Sequence, residues 1–181
     1  MVFHFVILSD EVDDFRRELD IDAEATFKDL NDLLLKTCAY KSDCMTSFFL
    51  CDEDWEKVQE ITAVDMNDDP EKEGAPLMEH THLSDIITEQ TARNKAKVLF
   101  EFDIVCERYL YMQLKEVRDH EHLLQPMVTL TKGKAPQQER DIDSMFRDAD
   151  PNDMYGEDQF NEDELDMEGY QDLEDIESAG Y

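Results

Sequence analysis

Residues 2–38 read VFHFVILSDEVDDFRRELDIDAEATFKDLNDLLLKTC and hold three successive structural patterns. From residue 2 to residue 8, large apolar side chains alternate and nearly all the others are apolar too, which predicts a largely buried strand. Residues 15–21 place Phe, Arg, Leu and Ile on one face and charged side chains on the other. This alternation predicts a half-buried strand, and the short polar loop between the two strands predicts a β-hairpin.

The third pattern is an amphipathic helix over residues 27–39. Thr26 offers an N-cap hydroxyl, and Asp29 stands three positions later, as in a capping box. The apolar residues that follow recur at helical spacing: Phe27, Leu30, Leu33, Leu34 and Cys38. A hairpin followed by a helix that lies across a mixed sheet predicts an α+β, β-grasp-like fold.

The later segments extend this sheet. We predict strands at residues 47–52, 55–61, 97–105, 109–117 and 127–131. An acidic loop over residues 65–76 and a short helix around residues 83–87, capped by Thr81 or Ser84, follow the second of these strands. Because the pattern lacks alternating strand–helix–strand units, a doubly wound parallel sheet is not expected.

Charge divides the chain into two parts. The 181 residues carry a formal net charge of −30. Residues 141–181 contain 16 acidic residues and one basic residue, Arg147, with too few apolar groups to offset the entropy of ordering. We therefore expect an α+β domain at residues 1–136, followed at residues 137–181 by a linker and an acidic, disordered tail.

Charge and composition also bear on partners and location. A surface this negative disfavours direct binding to nucleic acids and acidic membranes, and favours a basic protein surface as partner. The first residues, MVFHFVILSDE, lack the basic start and long apolar run of a signal peptide. No stretch approaches the roughly 18 apolar residues of a membrane span. We expect a cytoplasmic protein whose cysteines remain thiols.

Four stretches carry a resemblance to a known family: LSDEVDDFRRELDIDAEATFKDLNDLLLKT, MTSFFLCDEDWEK, LMEHTHLSDII and VLFEFDIVCERYLYMQLKEV. Over residues 1–136 the chain resembles the plasmid pRiA4b ORF-3-like family, some of whose members are described as insertion-element passenger proteins of TnpR type. The segments FFLCDEDWEK and KGKAPQQ are similar to its branch of small acidic proteins from Bacteroidetes. The resemblance implies an association with mobile elements and does not imply recombinase chemistry.

One family motif is largely missing. On the late hairpin, the better-known members carry a tyrosine–aspartate–phenylalanine–glycine–aspartate run followed by tryptophan and histidine. At the matching stretch this chain keeps the aromatic–acidic pair Phe102–Asp103 and no clear counterpart of the glycine, second aspartate, tryptophan or histidine. An activity that those residues carry in relatives is therefore expected to be lost.

Motifs for cofactors and metals are weak. Residues 1–140 contain two glycines, Gly74 and Gly133, too few for a loop that cradles phosphates. Two His-x-His pairs, at residues 80–82 and 120–122, fall in predicted loops without paired cysteines and are interpreted as surface residues. Residues 148–152 begin an EF-hand pattern that lacks its glycine and its final glutamate. We therefore expect no cofactor and no metal.

An enzyme is one of two alternative interpretations. In a chain with 47 acidic residues no carboxylate pair stands out, and the cysteines are far in sequence from most histidines. A catalytic site would lie in a cleft between the late hairpin and residues 41–55, using Asp52, Asp103 and His82. The catalytic residues themselves stay unknown at this level.

The favoured interpretation is a non-enzymatic protein-interaction module. Trp55, the one tryptophan, stands among charged residues and either anchors an interface or caps the edge of the core. In the tail, Tyr155, Phe160 and Tyr170 alternate with acids, which is typical of a segment that folds on a basic partner and equally of a solubilising tail. The second alternative is a regulator of nucleic-acid machinery whose tail mimics phosphates and occupies a basic protein.

Overall fold

The computed structural model describes residues 1–65 and 74–139. Seven strands and three helices follow one another in this part of the chain: β1 Val2–Leu8, β2 Arg16–Asp22, α1 Phe27–Cys38, β3 Ser47–Cys51, β4 Lys57–Thr62, α2 Leu83–Ile86, α3 Glu89–Arg93, β5 Lys97–Asp103, β6 Arg108–Arg118 and β7 Met127–Lys132. Every predicted strand and helix is present within a few residues of its expected bounds. Helix α3 was not predicted.

The seven strands form one sheet in the order β4-β3-β5-β6-β1-β2-β7, and each neighbouring pair is antiparallel. The α+β class is therefore confirmed, and the prediction of a mixed sheet is wrong. Strands that are connected through helices run in the same direction, but they never become neighbours among the described residues. Strands β5, β6 and β1 lie between β2 and β3, and β3 lies between β4 and β5.

Helix α1 begins as predicted. The Thr26 hydroxyl oxygen accepts a hydrogen bond from the Asp29 N–H at 3.1 Å, and the Asp29 carboxylate accepts one from the Thr26 N–H at 2.9 Å. This capping box satisfies backbone donors at the start of the helix. The helix ends at Ala39, which adopts the left-handed conformation with φ 57°. Its apolar side packs on the sheet, where the Phe27 and Phe48 rings are 5.3 Å apart.

The sheet has one covered face and one open face. The apolar residues on the covered face of the central strands are almost inaccessible: Phe3, Phe5, Ile7, Leu19, Ile21, Phe48, Phe100, Leu110 and Met112. The buried apolar side chains of α1 and α2 join this same cluster. We call the opposite side the open face, because no helix of the described part packs on it. It carries the alternate residues of the same strands, since successive side chains in a strand point to opposite faces.

The two short helices connect β4 to β5. Helix α2 is capped by His82, so the prediction of Thr81 or Ser84 is wrong, by one residue for Thr81 and by two for Ser84. The deciding contact is the Asp85 carboxylate, which accepts a hydrogen bond from the His82 N–H at 2.9 Å. Helix α3 contains no buried residue. Its sequence has no apolar residues at helical spacing, which is the pattern that would have predicted it.

Arg108 fastens residues near the end of the described chain to the sheet. Its guanidinium donates hydrogen bonds to both carboxylate oxygens of Glu11 at 2.7 Å and to Asp103 at 3.2 Å. It also donates to the carbonyl oxygens of Gln137 at 2.7 Å and Gln138 at 3.2 Å. Contacts with the domain therefore continue beyond residue 136.

Two predicted segments are not covered by the description. The tail from residue 140 onward lies outside the described residues, as do residues 66–73 of the predicted acidic loop. Within the ranges that the structure does describe, no helix has the length and apolar character needed to cross a membrane.

Candidate functional site

Four aromatic side chains gather on the open face. Phe49 belongs to β3, Tyr109 and Tyr111 belong to β6, and Trp55 projects from the turn between β3 and β4. Leu99 of β5 is the cross-strand partner of both Phe49 and Tyr111, so these three side chains form a row across three strands. The four aromatic residues are half-buried. We call them the aromatic patch.

Trp55 adopts a backbone conformation that bulky residues rarely take. Its φ is 67°, in the left-handed region that favours glycine. The turn around it is held by Asp52, whose carboxylate accepts hydrogen bonds from the Asp54 and Glu56 N–H groups, each at 2.9 Å. Such strain costs about 1–3 kcal/mol and persists where surrounding contacts impose it, often at functional sites.

The Trp55 ring lies against the sheet rather than in the core. Its centroid is 5.1 Å from that of Tyr111, and the two rings meet edge-on at 77°. The Lys97 ammonium lies 5.0 Å from the indole centroid, and this ammonium also donates to the Glu53 carbonyl oxygen. Trp55 does not belong to the hydrophobic core cluster or to the residues packed against it. This placement favours the first of the two sequence interpretations of Trp55, the interface anchor, over the edge of the core.

A second lysine occupies a corner formed by two other rings. The Phe49 and Tyr109 rings stand at 79° with centroids 6.4 Å apart. The Lys57 nitrogen lies 4.0 Å from the Phe49 centroid and 4.5 Å from the Tyr109 centroid, and it donates a hydrogen bond to the Tyr109 hydroxyl oxygen at 2.8 Å. Both ring distances fall within the roughly 6 Å range of cation–π attraction.

A buried carboxylate lies beneath this corner. Glu101 of β5 is 6% exposed and is paired across the strands with Tyr109, whose hydroxyl hydrogen-bonds its carboxylate. Burial raises the pKa of Glu101 above its ordinary value, although Tyr109 and Lys57 act in the opposite direction. Burial would lower the pKa of Lys57, but the Tyr109 hydrogen bond and the nearby acids raise it, so the lysine carries its charge at neutral pH.

Acidic residues border the aromatic patch. Asp10 hydrogen-bonds the Tyr111 hydroxyl, Glu60 is the cross-strand partner of Phe49, and Glu107 lies close enough to act on the charge of Lys57. With Glu101, these acids outnumber the two lysines that lie over the rings. The patch is therefore apolar at its centre and negative around it, even though cations already occupy two positions on it.

A cleft of about 420 Å³ opens beside Glu101. Its lining residues come from the start of β3, the end of β4 and the turn after β5, and include Met45, Ser47, Glu60, Thr62, Glu101 and Ile104. The cleft lies between the late hairpin and residues 41–55, where the enzyme alternative expected one. None of the three residues that this alternative named lines it.

Those three residues are far apart, and each has a local role in a turn or at a helix end. Asp52 caps the turn at one end of β3, beside the first residue of β5, whereas Asp103 ends β5, about 20 Å away at the usual rise of a strand. The Asp103 carboxylate pairs with Arg108 and accepts from the Cys106 N–H at 3.1 Å. His82 is exposed at the start of α2. The structure therefore does not bring Asp52, Asp103 and His82 together.

Three of the four cysteines lie where a thiolate is disfavoured, and the paired histidines are exposed. Burial raises the pKa of Cys38 to about 12, and it also raises the pKa of the Cys44 and Cys51 thiols. A nucleophilic cysteine needs the opposite shift. The histidines of both His-x-His pairs are exposed, as predicted, and no group of three potential ligands for a metal ion occurs among the described residues.

The far end of the open face carries a polar cluster. His4 Nδ1 lies 2.7 Å from Asp20 Oδ1, and Arg118 forms an ion pair with the same carboxylate. Burial would raise the pKa of Asp20, but the hydrogen bonds from His4 and Arg118 outweigh it and hold the pKa below its ordinary value. Glu18 lies 3.6 Å from the other ring nitrogen of His4. The cluster holds β1, β2 and the end of β6 together.

Sequence reasoning found one of the four patch residues, Trp55. It missed Phe49, Tyr109 and Tyr111, because an apolar strand buried on both faces and one with a functional face look alike in sequence. The alternation of residues in β6 did carry a signal. Leu110 and Met112 point to the core, so the tyrosines that alternate with them must point to the other face. The predicted tail residues Tyr155, Phe160 and Tyr170, and the EF-hand-like residues 148–152, lie outside the described residues.

Comparison with known proteins adds a likeness in fold. No family model matches the chain, and no curated protein matches it. A crystal structure of a protein of unknown function from Methanosarcina mazei Go1 has a similar fold, with a TM-score of 0.56 and 18% sequence identity. The match covers 75% of this chain and 71% of that one. At this level of identity the likeness concerns the fold alone.

Proposed function

We propose that this chain is a non-enzymatic protein-interaction module whose aromatic patch binds a basic segment of a partner protein. The observation that carries the proposal is Trp55, a large ring displayed on an open sheet face at a strained φ of 67°. Trp55 does not belong to the hydrophobic core, so packing of the core does not account for this strain. Tryptophan and tyrosine are also the residues most enriched among the anchors of protein interfaces.

Charge supports a basic partner. The chain carries a formal net charge of −30, and acids border the patch itself. Potentials of this sign attract a positively charged segment and repel phosphate backbones and anionic lipids. The two lysines over the rings support the same partner, because they mark positions where the patch stabilises a cation.

The tail offers a second binding segment for the same kind of partner. Its Tyr155, Phe160 and Tyr170 stand among 16 acids, which suits a segment that folds on a basic surface or mimics phosphates. Membership of the plasmid pRiA4b ORF-3-like family, its Bacteroidetes branch, a cytoplasmic location and a β-grasp-like classification are parts of the same proposal. They rest on the sequence stretches quoted above and on the order of strands and helix at the start of the chain.

An enzyme is the second candidate, and one observation favours it. Lys57, Tyr109 and Glu101 form a continuous row of hydrogen bonds next to a cleft of about 420 Å³. A buried carboxylate with a raised pKa is a plausible proton acceptor in a site of this kind. Native mass spectrometry of the purified full chain tests this candidate, because an enzyme with such a cleft is expected to retain a small molecule that Glu101→Gln releases.

Mapping by NMR tests the interaction proposal. The ¹⁵N-labelled full chain is titrated with an octalysine peptide at an ionic strength of about 0.15 M, where exposed charges are screened beyond about 8 Å. We expect chemical-shift changes in residues 47–60 and 97–111, lost in the double variant Phe49→Ala/Tyr111→Ala. Leu124→Ser, at a fully exposed position, is the matched control and should bind as the wild type does.

Two other results would overturn the proposal. Shift changes confined to residues 141–181 would give the binding function to the tail and leave the sheet face without one. An absence of any change at millimolar peptide would remove basic segments as partners of this chain.

A further inference from the structure

We propose that the corner between Phe49 and Tyr109 is a binding site for a lysine side chain of the partner, and that Lys57 occupies it as an internal stand-in. This inference rests on the proposed function and specifies the chemical group that the patch recognises. It concerns a corner of two rings and one carboxylate that no sequence motif predicted.

The geometry of the corner suits an ammonium ion. The Phe49 and Tyr109 rings stand at 79°, and the Lys57 nitrogen lies 4.0 Å from the Phe49 centroid and 4.5 Å from the Tyr109 centroid, on the hydroxyl side of the Tyr109 ring. Aromatic cages that recognise alkylammonium ligands also place aromatic rings within about 6 Å of the cation. The Tyr109 hydroxyl oxygen accepts a hydrogen bond from the ammonium, and the Glu101 carboxylate behind it adds negative charge. The site therefore combines ring faces, a hydrogen-bond acceptor and an anion.

Lys57 is an occupant that can leave. It is exposed, and it stands at the first position of β4, an edge strand of the sheet. The register between β3 and β4 shifts beside it, between Leu50 and Cys51, so the ladder is irregular at this point. The Lys57 and Tyr109 side chains lean toward each other from strands that are separated by β3 and β5, and they meet above Phe49. Moving the Lys57 side chain into solvent would not disturb the core.

The occupant that we assign is a lysine of a basic polypeptide rather than a free small amine. A polypeptide places several cations along the face, and the patch offers a second cation position over Trp55, now held by Lys97. The bordering acids extend the complementary charge beyond the corner itself. Because Lys57 is tethered next to the corner, it competes with the incoming side chain at a high effective concentration.

Removing the competitor tests the inference. Lys57→Met in the full chain keeps the apolar stem and removes the ammonium from the corner, so octalysine should bind about two- to fivefold more tightly than to the matched control Lys115→Met. Lys115 is exposed and contacts Gln113, and its replacement changes the net charge equally. n-Butylammonium serves as the small-amine probe and should shift the Phe49 and Tyr109 ring resonances of Lys57→Met only at much higher concentration.

Each outcome is decisive. Tighter octalysine binding to Lys57→Met than to Lys115→Met supports the inference. Equal or weaker binding, with the sheet residues still shifting, overturns it and leaves the proposed function standing. An absence of sheet-face shifts with the wild type and both variants overturns the inference and the proposed function together. Equal concentrations of n-butylammonium and octalysine for half-saturation would make a small amine the ligand and also overturn the assignment.

Discussion

The Lys57 ammonium lies 2.8 Å from the hydroxyl oxygen of Tyr109, although β4 and β6 are separated by two intervening strands. This contact ties the edge strand β4 to the middle of the sheet on the face that no described helix covers. It also places a cation over Phe49, between the two strands. The open face is therefore an organised surface, and the predictions below test its parts and the scaffold that presents it.

Trp55→Gly should be more stable than Trp55→Ala by about 1 kcal/mol. Both variants lose the indole ring, but glycine adopts φ 67° without steric penalty and alanine does not. Urea unfolding followed by circular dichroism measures the difference, since the protein loses its one tryptophan fluorophore in both variants. Equal stability of the two variants would mean that the turn relaxes to negative φ, and Trp55 would then carry no strain.

Glu101→Gln should stabilise the protein at pH 7. The pKa of Glu101 is raised by folding, so its stability contribution is present below the ordinary value of 4.5 and is lost as pH rises through the folded value. Glutamine removes that loss, so its advantage over the wild type should shrink as pH falls from the folded pKa of Glu101 towards 4.5 and be gone below 4.5. Thermal unfolding between pH 4 and pH 8 measures it. The prediction would be wrong if the stability of Glu101→Gln relative to the wild type were lower at pH 7 than at pH 4.

Asp20→Asn should have the opposite pH dependence. The pKa of Asp20 is lowered by folding, so its contribution is present above its ordinary value of 3.8 and is lost as pH falls through the folded value. The variant should be less stable than the wild type at pH 7, with a difference that narrows below pH 3.8. Acid titration followed by circular dichroism checks this. A constant difference across that range would show that folding does not lower the pKa of Asp20.

Arg108→Ala should destabilise the domain by about 3 kcal/mol, because it removes a buried guanidinium and leaves the partly exposed carboxylates of Glu11 and Asp103 without their cation. The Arg108 side chain is 6% exposed and pairs with both Glu11 and Asp103. Arg93→Ala is the matched control, since its ion pair with Glu89 is exposed and should contribute less than about 1 kcal/mol. Urea unfolding of both variants gives the comparison, and similar losses for the two would contradict a buried role for Arg108.

Gly133→Ala should destabilise the protein by about 2 kcal/mol or more. The glycine has φ +65°, and a Cβ there would lie 2.5 Å from the Asp14 carbonyl oxygen. The carbonyl of Gly133 also accepts a hydrogen bond from Arg17 at 3.2 Å. Lys134→Ala, at the exposed neighbouring position, should change stability by less than about 0.5 kcal/mol. A tolerated alanine would mean that this loop moves away from Asp14 at little cost.

Local structure was predictable because it depends on neighbouring residues. The apolar alternation of β1, the capping box of Thr26 and Asp29, and the spacing of α1 all act within a few positions. The order of the strands was not predictable in this way. The alternation of a strand predicts that Phe48 and Phe49 point to opposite faces of the sheet. It does not predict which of the two faces helix α1 packs on, because that depends on strand pairing. The expectation of a mixed sheet failed for the same reason.

The candidate site was predictable only at Trp55. Its composition made it conspicuous, but its contact with Tyr111 joins residues 56 positions apart in sequence, and no local pattern encodes that contact. Lys57 and Glu101 looked like ordinary members of an acidic, charged chain. They differ from the rest because the fold places one over two rings and buries the other beneath them.

Trp55 fluorescence of the full chain during titration with octalysine is the most direct measurement of the patch. The protein has one tryptophan, so its emission reports on this surface alone. We predict a saturable change with octalysine, none with octaglutamate at the same ionic strength, and loss of the change in Phe49→Ala/Tyr111→Ala. Octalysine that binds, by anisotropy of a labelled peptide, without altering the emission of Trp55 would contradict a binding role for the aromatic patch.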